Sequence, residues 1–489
     1  MSLRGLETSH TALQLHVTEF QPLSAPIHKL PVDVLGDILS LVCNQGTGNA
    51  FGKKSHLPSL CLTAVCSFWR EVMLARSDMW SSIDVHLDKM TKGSCRLLSL
   101  WLARSRDALL HLRVVSGYSF GTNSTTEWKT FSLLLNQAHR WASATLRLDF
   151  QLYVEASARI TAIPDGDTNS DLGYESHPHE TTKPFTHLKA LDLSWFDRRI
   201  AAVRSSRPAI RLFQYAPALR FLTIRQYDDF FSLPLPQIRH LNVKNSSHSL
   251  ATMLSQCSNL ECLSLLNFAA REPAPEKPVR LTNLTHLEVQ VSSYCEMLTT
   301  KHLFDNLELP SLTSFSITEP GHYYLDRAAW SQPAFESLLS RSSCHLQKLI
   351  FMEVTIAPEE LEATLRLTPA LTHLEFVEQR EGQAFTTAKD LLKALSYYPN
   401  MELLVPMLSY LSIETGDSLT IIAEDVKKMV LSRSRFPDAR GLDRICLATP
   451  EITSCVENLS RVICSQGTRI VVKEQPTSLT RLFPAYCLY

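Results

Sequence analysis

The feature that most narrows what this chain can become is a short motif, Leu-x-x-Leu-x-Leu, that keeps returning from about residue 185 onward. It stands at Leu188/Leu191/Leu193, Leu219/Leu222/Ile224, Ile238/Leu241/Val243 and Leu260/Leu263/Leu265. It continues at Leu284/Leu287/Val289, Leu312/Phe315/Ile317, Leu346/Leu349/Phe351 and Leu371/Leu374/Phe376, with a weaker copy at Leu442/Ile445/Leu447. The alternation closing each copy predicts a short strand with one buried face. Stretches with helical spacing lie between copies, among them 250–257, 335–342, 358–367 and 388–395. Successive copies begin roughly 19 to 34 residues apart, the range of architectures built by stacking one supersecondary unit on the next. A single strand–helix unit cannot bury its own apolar face, so each must lean on its neighbours and the strands must align into a parallel sheet. The expected fold class is α/β.

This pattern resembles the leucine-rich repeat proteins. The resemblance implies an irregular solenoid over residues 185–489, closed by a C-terminal cap, with the sheet on its concave side. The positions between the paired leucines would then face a bound protein: Asp192, Thr223, Asn242, Ser264, Glu288, Ser316, Ile350 and Glu375. His240, His286 and His373, one residue before the second leucine of their copies, would share that face, either lining a recognition surface or simply solvated. One departure stands out. The asparagine that usually caps the turn after the strand is expected to be missing, since Phe196, Tyr227, Ser246 and Phe268 occupy its places.

The N-terminal region reads differently. Residues 1–26 show no strong period and are expected to be a flexible lead. Then Leu30-Pro31 opens a helical stretch, with Pro31 where a missing N–H costs nothing and Asp33 in the first turn. Val34, Leu35, Ile38, Leu39 and Val42 recur on one face. A polar, glycine-containing insert, Asn44 to Ser55, is expected to be flexible. A second helical stretch runs from Leu57 to Leu74, carrying Val65-Cys-Ser-Phe-Trp69-Arg70, and Met79-Trp80 follows.

That order of segments resembles an F-box, and in particular the large divergent F-box families of fungi, where a long insert between the first helices is common. The resemblance covers residues 27–83 and implies a small three-helix unit. Its apolar face would dock on the Skp-type adaptor of cullin–RING ubiquitin ligases. Carried over residue by residue, the adaptor-binding set would be Leu30, Pro31, Val34, Leu35 and Ile38, helped by Val65 and Trp69. Residues 84–184 would join the two parts through early irregular repeats. Those comprise a helix at 97–104, a strand at 110–115, a helix at 128–141, a strand at 146–150 and a polar loop at 161–183.

Composition excludes more than it selects. With 48 basic and 49 acidic residues the chain lacks the basic excess that tracking a phosphate backbone needs, so no nucleic-acid partner is expected. No secretory signal and no apolar run of about 20 residues is seen, so neither membrane nor export is expected and the place of work is the cytosol or nucleus. The 12 cysteines lack paired spacing and read as small buried hydrophobes, Cys61 and Cys66 on a helix, Cys257 and Cys262 at a helix end and a strand.

Three patterns invite a catalytic or ligand reading. Gly117-Tyr-Ser119-Phe-Gly121 matches a nucleophile elbow, but no helix starts at the serine. Gly46 to Ser55 has the wrong spacing for a phosphate loop and follows a helix. His177-Pro-His179 sits among acidic residues, yet the intervening proline opposes a tetrahedral site. No cofactor, metal or enzymatic activity is therefore expected. The expected function is that of a substrate-recognition subunit of an SCF-type ligase, holding a target protein while the adaptor links it to the cullin. The rival is a ligase-independent repeat scaffold in which 27–83 only caps the array. A serine hydrolase using Ser119 is the remote third.

Overall fold

A computed structural model describes residues 26–44, 48–52, 56–117, 124–161, 184–196, 208–225, 230–245, 250–269, 277–291, 299–319, 330–378, 386–399, 402–435, 441–450 and 455–474. The chain forms two compact units, Met1–Ala218 and Leu219–Tyr489, both mixed α/β and built on extensive parallel sheet.

The first unit opens with helices α1 (Val32–Asn44), α2 (Pro58–Thr63) and α3 (Ser67–Ala75), which pack on one another. The stretch from Leu57 to Leu74 is thus two helices rather than one. They part at Ala64–Cys66, where the Thr63 hydroxyl donates to the Leu60 carbonyl (2.7 Å) and the Arg70 Nε to the Thr63 carbonyl (3.0 Å). Cys66 is the N-cap of α3, its sulfur accepting from the Trp69 N–H (3.4 Å).

The insert between α1 and α2 corrects the expectation of flexibility. Asn49–Phe51 is a strand, β1, paired in parallel with β2 (Ser82–His86). Phe51 and Asn49 are buried, and the Asn49 amide donates to the Ser82 carbonyl (3.2 Å). Gly48 makes this entry possible: its φ is +64°, and a Cβ there would come 2.3 Å from Ser82 Oγ. The sheet continues in chain order through β3 (Leu110–Val115), β4 (Trp141–Asp149) and β5 (Ala190–Phe196), all parallel. Helices α4 (Lys92–Arg104), α5 (Ser124–Leu135) and α6 (Phe150–Thr161) form the connections. The helix expected to reach 141 ends at Leu135, because Trp141 already begins a strand and its indole N–H donates back to the Leu134 carbonyl (3.1 Å).

An aromatic cluster ties the helical start to this sheet. Trp80 meets Trp101 of α4 edge-on (4.8 Å), Trp101 meets Phe51 (5.4 Å), and the Arg104 guanidinium lies over Trp80 (4.5 Å). The Trp80 indole N–H donates to the Met73 carbonyl (2.9 Å). Each such aromatic contact adds about 0.5–1.5 kcal/mol beyond the area it buries.

The second unit repeats one plan. Strands β6 (Phe221–Ile224), β7 (His240–Lys244), β8 (Cys262–Phe268), a two-residue β9 (Val279–Arg280) and β10 (His286–Val291) follow one another, with helix α7 (Leu250–Ser255) between β7 and β8. Helix α8 (Thr299–Asp305) leads to a short β11 (Leu307–Glu308), which pairs with β9 in a separate two-stranded ladder. Then come β12 (Ser314–Thr318), α9 (Gln332–Ser342), β13 (Lys348–Met352), α10 (Pro358–Arg366), β14 (His373–Val377) and α11 (Ala388–Leu395). The series closes with β15 (Tyr410–Glu414), α12 (Leu419–Arg433), β16 (Arg444–Thr449), α13 (Cys455–Cys464) and β17 (Arg469–Glu474). Apart from β9 and β11, the strands lie side by side in chain order, every pair parallel.

Register explains the motif. Leu222, Leu241, Leu263, Leu287, Phe315, Leu349, Leu374, Leu411 and Ile445 form one continuous row, and all are buried. Leu408/Leu411/Ile413 is a further copy of the motif, and β17 supplies a last strand beyond it.

At two of the four places a turn asparagine is present after all, displaced by one residue. Asn245 follows β7 and Asn267 sits in an irregularity of β8; both adopt left-handed backbone (φ 57° and 54°), and the Asn267 amide donates to Asn245 Oδ1. Further along, acids and hydroxyls take over this position. Buried Glu319 accepts from the Thr355 N–H through Oε2 (2.8 Å), and the Thr415 hydroxyl donates to Glu378.

Candidate protein-binding surfaces

Helix α1 carries apolar residues on two sides. Leu35, Leu39 and Cys43 point into the three-helix packing and are buried, Leu35 being 0 % exposed. Gly36 is buried beside them, under Arg76: a Cβ there would come 2.6 Å from Arg76 Nη1. Val34, Ile38, Leu41 and Val42 line the other side and stay exposed, Ile38 at 41 % and Leu41 at 63 %. These two stripes were expected to be one. A helix apolar on both sides is the pattern of a buried element, not of one facing water.

Of the expected adaptor-binding set, Pro31, Val34, Ile38 and Val65 are exposed, Val65 at 58 %, while Leu30 and Trp69 are half-buried. Leu35 belongs to the core of the unit instead, and Leu41, Val42 and Leu60 take a place on the surface that the sequence reading did not give them. Among the described residues, fourteen large apolar side chains are exposed, and eight of them lie between Val32 and Leu74. Such a concentration marks a contact surface more than scattered exposure does.

A polar network braces the same helix. The Arg76 guanidinium reaches Asp37 (2.7 Å) and Asp78 (3.0 Å), and the Ser40 hydroxyl donates to Asp78 (2.9 Å). Burial works to raise the Asp78 carboxyl, but the bonds from Arg76 and Ser40 outweigh it and hold it below its ordinary value.

The second surface is the sheet face opposite the buried leucine rows. Thr223, Asn242, Ser264, Glu288, Ser316, Ile350 and Glu375 are in direct register across β6, β7, β8, β10, β12, β13 and β14, and all are half-exposed. Ser412 and Cys446 extend the row. Asp192 occupies the matching row of the first unit, beside Thr145, Arg113, Asp84 and Ala50. Ser264 donates to Glu288 (2.6 Å), and Lys348 pairs with Glu375 (3.1 Å).

Two residues earlier on the strands, the histidines stand in a parallel row: Phe221, His240, Cys262, His286, Ser314, Lys348, His373, Tyr410, Arg444 and Arg469. His240 stacks on Phe221 (4.5 Å between ring centres), and His373 on Tyr410 (5.3 Å). Burial pushes His240 below the ordinary imidazole value and Tyr410 up to about 12.

No group of three or more potential metal ligands is found among the described residues. Ser119, His177 and His179 lie outside them. Cysteine placement is mixed: Cys43 and Cys257 are buried, with burial raising the Cys257 thiol to about 12, whereas Cys61 is exposed, against expectation. No helix among the described residues is long and apolar enough to cross a membrane.

A third arrangement escaped the sequence entirely. Arg140, Arg341 and Arg433 each reach back to carbonyls at the end of an earlier helix (α4, α8 and α11) and in the segment that follows it. Arg140 donates to the Leu102 and Ala108 carbonyls (2.9 and 3.1 Å). Arg341 donates to those of Phe304 and Leu307 (2.6 and 2.7 Å), and Arg433 to those of Leu395, Leu404 and Val405 (3.3, 3.1 and 2.8 Å). Helix C-termini leave such acceptors unpaired, and a cation suits the negative end of the helix dipole.

Comparison with known proteins adds no name: the chain matches no protein-family model and no curated protein.

Proposed function

We propose that this chain is the substrate-recognition subunit of an SCF-type cullin–RING ubiquitin ligase, in which residues 27–83 act as an F-box and the repeats form a leucine-rich repeat-like solenoid. The single observation that carries the reading is the outer apolar stripe of α1, Val34, Ile38, Leu41 and Val42, with Val65 and Leu60 on the neighbouring segments, all left open to solvent. Burying these half-exposed side chains against a partner would contribute roughly 1 kcal/mol each. The adaptor of such ligases is the partner that the F-box resemblance implies. On this reading the chain carries no catalytic residue. It accelerates ubiquitin transfer by holding its target near the charged carrier, an effect of proximity.

The rival scaffold reading gives residues 27–83 only a capping role. Phe51, Trp80 and the pairing of β1 do serve the sheet in that way. A cap, however, has no use for a second apolar stripe facing outward. The test is co-purification with the Skp-type adaptor, comparing the wild-type chain with a Pro31→Ala/Val34→Asp/Ile38→Asp variant. Capture by the wild type and loss in a folded variant support the F-box. Failure of the folded wild type to bind leaves the scaffold in front.

A further inference from the structure

We infer that the end of the open sheet face formed by β15, β16 and β17 is a docking surface for an extended acidic segment of a partner protein. This rests on the reading that the sheet face receives a protein target, and it names the chemistry of that target. Arg444 and Arg469 are register partners on adjacent parallel strands, and both are exposed. Like charges placed opposite each other on a sheet repel. Among the described residues neither guanidinium has a hydrogen bond or an ion pair to offset this. Lys473, on the same face of β17 four residues beyond Arg469, is likewise exposed and has no partner among the described residues.

Three cations elsewhere on or beside the strands are held by acids. Arg113 is paired with Asp84 (2.7 Å), Arg239 with Glu261 (3.0 Å) and Lys348 with Glu375 (3.1 Å). On the open face of β15–β17 the other positions are Tyr410, Ser412, Glu414, Cys446, Ala448 and Val471, and Glu414 is buried. Even with Asp443 beside Arg444 on the rim, the cluster stays net positive.

Its spacing suits one kind of ligand. Adjacent strands lie about 4.8 Å apart and each residue advances about 3.3 Å. Two guanidinium forks therefore sit side by side, with an ammonium about 13 Å further along. An extended segment lying along the strands would set a pair of carboxylates over the arginines, where bidentate bonding is available, and a third acid about four residues on. A nucleic acid would call for a broader basic surface than three cations in a chain whose formal net charge is −1.

The test uses the full-length chain and a short fluorescein-labelled peptide with two adjacent glutamates and a third four residues on. A control peptide carries glutamine at the same places. The inference predicts saturable anisotropy with the glutamate peptide, loss with added salt, and none with the glutamine peptide. Arg444→Gln/Arg469→Gln should weaken binding about tenfold or more, and Lys473→Gln a few-fold. These exposed positions are not expected to disturb folding, which circular dichroism of each variant checks. Equal binding of both peptides, or full binding by the double variant, overturns the inference. So does single-stranded RNA of equal charge binding as tightly as the glutamate peptide. Adaptor capture by the same preparations keeps the two readings apart. Lost peptide binding with capture intact removes only the acidic target, and lost capture with peptide binding intact removes only the ligase.

Discussion

Replacing Arg433 with methionine should destabilise the second unit by roughly 2–4 kcal/mol, and the structure sets both sides of that figure. Arg433 is almost fully buried and has no carboxylate partner among the described residues; its guanidinium serves the carbonyls of Leu395, Leu404 and Val405. Methionine keeps the apolar stem and removes every donor. Each carbonyl stranded without a partner costs about 1–3 kcal/mol; the Val405 carbonyl keeps the Leu408 N–H (3.1 Å), so the loss falls on those of Leu404 and Leu395. Against this, a buried cation is itself unfavourable, as burial lowering its pKa to about 10 indicates, so removing the charge returns part of the loss. Urea denaturation followed by circular dichroism should show a lower midpoint at unchanged slope. Arg433→Lys, whose ammonium can reach only some of the three acceptors, should fall between. A methionine variant within about 0.5 kcal/mol of wild type would refute the idea that these arginines hold the helix ends in place.

Other outcomes follow from the same geometry. Leu35→Ala should cost about 2–5 kcal/mol in unfolding experiments, whereas Ile38→Ala should be nearly neutral for stability and weaken adaptor binding. Gly48→Ala should destabilise by more than about 1 kcal/mol, measured as a lowered Tm, because φ of +64° and Ser82 both oppose a side chain. His240 has a folded-state pKa depressed by burial, so its contribution to stability is complete above the unfolded value of about 6.5 and is lost as pH falls through the folded value. His240→Gln should flatten that acid limb, and an NMR titration placing its pKa at or above 6.5 would contradict the burial argument.

The repeats were legible because one period dictates them: each Leu-x-x-Leu-x-Leu places one row of apolar residues inward, and every strand from Leu188 to Leu371 that the motif marks is found. The copy at Leu408/Leu411/Ile413 obeys the same rule and could have been read. What could not be read depends on distant partners. Asn49–Phe51 has too few residues for a period to show, and it is pairing with Ser82–His86 across the ladder, with a bridge to His56, that makes it a strand. The division of α1 into an inner and an outer stripe is equally hidden, since Leu35 and Ile38 are alike in sequence and differ only in what α2 and α3 cover. Arg140, Arg341 and Arg433 look like solvated cations until the helix ends they serve are in place.

The most direct test of the ligase reading is a calorimetric titration of the folded chain with a purified Skp-type adaptor, alongside an Ile38→Asp/Leu41→Asp variant of equal thermal stability. Saturable one-to-one binding is expected, which the variant should lose by at least about a hundredfold, since each introduced carboxylate would be buried without a partner. A folded wild-type chain that gives no heat and no binding, or a variant that binds as well as the wild type, would contradict it.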